Sequence, residues 1–61
     1  MSLGEKLEAA GFAYAMTDVA RDTNVFFIDD QKIELPRGRV RLSQQFGVLC
    51  AKKSDVLEAA K

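Results

Sequence analysis

Residues 24 to 35, Asn-Val-Phe-Phe-Ile-Asp-Asp-Gln-Lys-Ile-Glu-Leu, constrain the fold more than any other stretch of the chain. Val25-Phe26-Phe27-Ile28 run without a break and are all β-branched or aromatic. Asp29-Asp30-Gln31 interrupts them with turn-forming side chains, and Ile33 and Leu35 then alternate with Lys32 and Glu34. The pattern predicts a β-hairpin: a strand buried on both faces, a short Asp-led turn, and a strand with one wet face. With 61 residues in all, any core must form on this hairpin.

That length allows one domain. A chain of this size buries only about 60% of the surface its unfolded form exposes, so small domains recruit disulfides, metals or partner subunits. Cys50 is the only cysteine and histidine is absent, which rules out an intrachain disulfide and leaves no ligand set for structural zinc. That leaves oligomerisation or an unusually efficient core, and a homodimer is expected. The first residues carry Glu5, Lys6 and Glu8 where an export signal needs its apolar stretch, and the apolar run from Ala9 to Met16 is far too short for a membrane span. With one free thiol, these features point to the cytoplasm and to no membrane partner.

The net charge is zero but unevenly spread. Residues 1–31 set Lys6 and Arg21 against six carboxylates, net −4, and residues 32–61 set seven cations against three carboxylates, net +4. Such asymmetry suits an anionic partner on the basic half, head-to-tail self-association, or two halves that attract each other within one fold.

Along the chain, Ser2 and Glu5 have the spacing of a capping box, Leu3, Leu7 and Ala10 share one helical face, and Gly11 can end the helix. A helix is predicted over about 3–10. In Phe12-Ala13-Tyr14-Ala15-Met16, large residues alternate with small, which favours a strand slightly over a continued helix. Thr17 to Asn24 is polar and reads as a connection. Pro36-Arg37-Gly38 marks a turn. Arg39-Val40-Arg41-Leu42 alternates as a strand would, Ser43-Gln44-Gln45 reads as the next turn, and Phe46 to Ala51 as a second buried strand. A helix over 39–50 stays open, because Leu42, Phe46, Leu49 and Cys50 share a helical stripe. Ser54 to Lys61 opens with capping residues and continues with helix formers, so a terminal helix is predicted. The expected fold is a small α+β domain with a short helix at each end around an antiparallel β-hairpin or meander.

Catalysis finds little support. The commonest general base is missing, Cys50 lies in an apolar run that suits a core thiol, and Asp29-Asp30, which Asp18 or Asp22 could complete as a carboxylate or metal site, is explained by turn chemistry alone. The four glycines are scattered and form no phosphate loop. No cofactor or metal is expected. Nucleic-acid binding fares better. On a strand, Arg37, Arg39 and Arg41 would form one row able to follow a phosphate backbone. Gln44 and Gln45 can read base edges, and Lys52 and Lys53 precede the final helix. Against it stand an isoelectric point near 6.1 and the ordinary use of charge as solvated surface.

The order Lys32-Ile33-Glu34-Leu35-Pro36, a basic segment, then Lys53-Ser54-Asp55-Val56-Leu57 is faintly similar to ribbon-helix-helix repressors, in which a strand is followed by two helices. The likeness covers only the second half of the chain and fits poorly at Gly38 and Arg41-Leu42-Ser43, too little to assign a family.

The leading expectation is a non-enzymatic regulatory protein that binds nucleic acid through Arg37, Arg39, Arg41, Gln44, Gln45, Lys52 and Lys53. The alternative is a protein-interaction module, an accessory or inhibitor subunit, that uses Tyr14, Phe26, Phe27 and Ile28 as a partner or dimer surface. An apolar strand with two dry faces offers more than a two-layer domain readily covers.

Overall fold

A capping box opens the first helix. In the computed structural model, which describes residues 2–61, the Glu5 amide donates to the Ser2 hydroxyl and the Glu5 carboxylate accepts from the Ser2 amide. This satisfies amide donors at the start of helix α1 (Leu3–Ala9). Gly11 ends it at φ +86, the left-handed conformation glycine adopts without steric cost. Strand β1 (Phe12–Asp18) follows, then β2 (Thr23–Ile28), β3 (Gln31–Pro36), β4 (Ser43–Gln45), β5 (Val48–Lys52) and helix α2 (Lys53–Ala59). The fold is α+β. Among the described residues no helix is long and apolar enough to cross a membrane.

All five strands form one antiparallel sheet in the order β3-β2-β1-β5-β4. The predicted hairpin is its β2–β3 arm, with Ile28 facing Gln31 across the Asp29-Asp30 turn. Asp29 takes φ +55, which aspartate tolerates better than most residues. The chain leaves β3, crosses as the loop 37–42, and returns to the far side of the sheet as the β4–β5 hairpin.

Register assigns the two faces. Ala13 and Ala15 of β1 point the same way as Phe26 and Ile28 of β2, Ile33 and Leu35 of β3, and Leu49 and Ala51 of β5. Helix α2 brings Val56 and Ala59 to this face, and the loop adds Val40 and Leu42. Ala13 and Ala51 are direct cross-strand partners, and three alanines leave a low floor on which α2 packs closely. Phe26 and Val56 are fully buried there. Asn24, also buried, accepts a hydrogen bond from the Thr17 hydroxyl at 3.3 Å.

Several expectations are corrected. Residues 39–42 form neither a strand nor a helix but a loop, because Val40 must turn inward as a plug for the core while Arg39 and Arg41 stay in water. Ser43-Gln44-Gln45 is strand β4, not a turn, and the turn lies at Phe46-Gly47. The polar connection between the first strands shrinks to residues 19–22, since Thr17 and Asp18 pair with Asn24 and Thr23. Helix α2 starts one residue before Ser54, with Lys52 at its cap and no side-chain capping bond. The likeness to ribbon-helix-helix proteins ends at β3, because residues 37–52 hold a loop and two strands where those repressors have a helix.

Candidate functional site

The opposite face of the sheet carries the other register. Phe12, Tyr14 and Met16 of β1 lie beside Val25 and Phe27 of β2, with Lys32 and Glu34 on β3 and Cys50 and Lys52 on β5. One row crosses four strands as Lys32, Phe27, Tyr14 and Cys50. The Tyr14 and Phe27 rings stack with centroids 5.9 Å apart and an interplanar angle of 29°, an offset arrangement worth about 0.5–1.5 kcal/mol beyond its buried area. Helix α1 covers one end of this face and seats Leu7, only 1% exposed. Its other leucine, Leu3, remains 42% exposed, and beyond the helix Tyr14 is 39% and Met16 49% exposed.

Between α1 and the sheet runs a groove of about 420 Å³. Leu3, Leu7, Phe12, Tyr14 and Phe27 give it apolar walls, while Glu5, Glu8, Asp29 and Lys53 stand at its polar margin. Lys53 Nζ lies 3.8 Å from Asp29 Oδ1. The Lys53 amide donates to the Gly11 carbonyl at 3.0 Å and ties the end of α1 to the start of α2. Glu8 has its carboxyl pushed above the ordinary value, first by a side-chain hydrogen bond to Asp29 and then by the Asp29 charge, with Lys53 opposing. Both carboxyls line the same apolar cleft.

The residues expected to contact nucleic acid are dispersed. Arg37 pairs with Asp22 at 3.4 Å, at the end of the sheet where β3 finishes. Arg39 and Arg41 sit on the loop and border a second groove of about 450 Å³ that also contains Asp55, Glu58 and Lys61. Gln44 and Gln45 follow one another on β4, at the edge of the sheet, and so point to opposite faces. Lys52 lies across from Phe12 on the aromatic face, and Lys53 is held by Asp29. The charge asymmetry of the sequence is partly cancelled in space, because Arg37 and Lys53 of the basic half pair with Asp22 and Asp29 of the acidic half.

The expected partner residues split between faces. Tyr14 and Phe27 are together at the groove, whereas Phe26 is fully buried in the core and Ile28 is nearly so. They cannot anchor a partner without unfolding the domain. Leu3, Phe12 and Met16 also belong to this surface, and the Leu3–Leu7 spacing and the Phe12-Tyr14-Met16 alternation both signal it in the sequence. Asp18 and Asp22 lie at the opposite end of β2 from Asp29 and Asp30, so the four form no common site. Comparison with family models, with curated proteins and with solved structures finds no match.

Proposed function

We propose that this protein is a non-enzymatic interaction module that binds another protein through the aromatic face of its sheet. One observation carries the reading: Leu3, Tyr14 and Phe27 line a groove that is already formed, and Met16, on the same face of β1 as Tyr14, is exposed. Exposed apolar residues scattered singly are ordinary, but a concave apolar site flanked by aromatic anchors is the usual form of a docking surface. Self-association through this face, giving the homodimer expected of so small a domain, is the same reading with a second copy as partner. The lone buried thiol of Cys50 suits a reducing compartment, and we place the protein in the cytoplasm on that chemistry.

The test compares proteins retained from source-cell extract by the wild type, by Tyr14→Ser/Met16→Ser, and by Arg39→Ala/Arg41→Ala, each with folding verified by circular dichroism. A partner of the aromatic face is lost with the first variant and kept by the second. Identical retention by all three sinks the reading.

Nucleic-acid binding is the second reading, and it now rests on fewer residues. Arg39 and Arg41 are exposed and make no ion pair within 4.0 Å among the described residues. Titration of a labelled duplex at two salt concentrations checks it. Binding that weakens steeply with salt and disappears in Arg39→Ala/Arg41→Ala supports phosphate contacts.

A further inference from the structure

The margin of the groove carries chemistry that its walls do not. Glu5, Glu8 and Asp29 against Lys53 leave the lining residues at net −2, and Asp30 adds a further carboxylate close enough to act on Glu8. These charges differ in how well they are met. Glu5 is used within α1, accepting from the Ser2 amide and hydroxyl. Asp29 shares Lys53, whose side chain is half-buried. Glu8 makes no ion pair within 4.0 Å among the described residues and lines the same groove as Asp29. Crowded like charges are relieved by a cation placed between them.

We propose that the groove takes a cationic amphipathic peptide segment of a partner protein, with a leucine- or phenylalanine-sized side chain between α1 and the Tyr14–Phe27 pair and an adjacent lysine or arginine at Glu8 and Asp29. The proposal rests on the interaction reading above and names the chemistry of the partner. Charge complementarity selects this occupant. An anionic segment, or the phosphate backbone of a nucleic acid, would meet three carboxylates at the margin with only Lys53 to offset them. The remaining lysines of the face, Lys32 and Lys52, do not line the groove. A volume of about 420 Å³ falls in the range of sites that bury small ligands or side-chain anchors. The apolar contact supplies affinity, and the carboxylates supply selectivity and on-rate.

Backbone amide chemical shifts of the labelled full chain provide the test, with three synthetic peptides that share the same leucine and phenylalanine positions. Their flanking residues are lysine, glutamine or glutamate. The lysine peptide is expected to shift amides of residues 3–8, 12–14 and 27–29 and to bind about fivefold to tenfold less well to Glu8→Gln/Asp29→Asn, as loss of one or two exposed charge contacts implies. Asparagine tolerates the positive φ of position 29, so that variant keeps the turn. Equal binding of all three peptides at the groove overturns the cationic preference and leaves the interaction face standing. Failure of every peptide to shift these amides overturns both. Groove amides that shift with protein concentration alone identify a second copy as the occupant, and a single-stranded oligonucleotide that shifts them identifies nucleic acid. Either result overturns the proposal.

Discussion

The two faces of the sheet are built from the same strands, alternate residue by alternate residue, and they end up differently covered. Each meets one helix of seven residues, about 10 Å of cylinder, over a sheet of five strands spaced about 4.8 Å apart. Such a helix cannot span the sheet. On the alanine face the shortfall is made good by the loop 37–42, which inserts Val40 and Leu42 beside Val56. On the aromatic face no loop among the described residues crosses, and large side chains fill what α1 leaves uncovered. The difference between core and candidate site is therefore set by the connection after β3.

Neighbouring residues expose this contrast most strongly. Phe26 is fully buried among Ala15, Ile28 and Leu35, whereas Phe27 stacks on Tyr14 at the groove. Phe26→Ala is expected to cost about 3–5 kcal/mol, a large share of the stability of a small domain, and to leave the chain largely unfolded. Phe27→Ala is expected to cost well under half as much and to remove peptide binding from a folded protein. Urea titration followed by circular dichroism separates them, and equal costs would mean that the aromatic face is core. The loop gives the next test. Val40→Ser opens the seal and buries a hydroxyl, for about 2 kcal/mol, while Met16→Ser on the open face stays within about 0.5 kcal/mol of wild type. A large loss at Met16 would show that a second copy covers it.

Sequence reasoning reached the arm of the fold in which local signals agree. The capping box, the Phe12-Tyr14-Met16 alternation and the Asp29-Asp30 turn each specify their own geometry, and α1, β1, β2 and β3 follow them closely. It failed where tertiary burial overrides the pattern. Arg39-Val40-Arg41-Leu42 alternates because one side of a loop is a core plug, and the same alternation describes a strand. The candidate site was half legible. Tyr14 and Phe27 carry an aromatic signature, but an unbroken run such as Val25 to Ile28 cannot reveal which face a helix will seal, so Phe26 and Phe27 looked alike.

Phe46 hid the last turn and yields a prediction of opposite sign. Phe46 and Gly47 form a two-residue hairpin turn at φ +55 and +79, the geometry that asparagine-glycine satisfies best. A bulky side chain there costs about 1–2 kcal/mol in backbone strain, and Phe46 is 56% exposed, so packing offsets little of it. Phe46→Asn is expected to raise stability by about 1 kcal/mol, read as a higher urea midpoint with an unchanged slope. A loss instead would mean that Phe46 makes a contact within the folded domain worth more than the strain.

The smallest effect concerns the margin of the groove and has a definite sign. The Glu8 carboxyl is raised above its ordinary value first by a side-chain hydrogen bond to Asp29 and then by the Asp29 charge. The folded state therefore holds the Glu8 proton more tightly than the unfolded chain does, and stability contributed by this group falls as pH rises from the unfolded value of 4.5 through the raised folded one. Glu8→Gln, which keeps the shape and removes the charge, is expected to flatten that part of the stability–pH curve and to leave stability at pH 4 almost unchanged. Full solvent exposure keeps the effect slight. An unaltered curve would show that Glu8 and Asp29 do not feel each other in solution, and the margin would lose its claim on a cation while the aromatic face kept its claim on a partner.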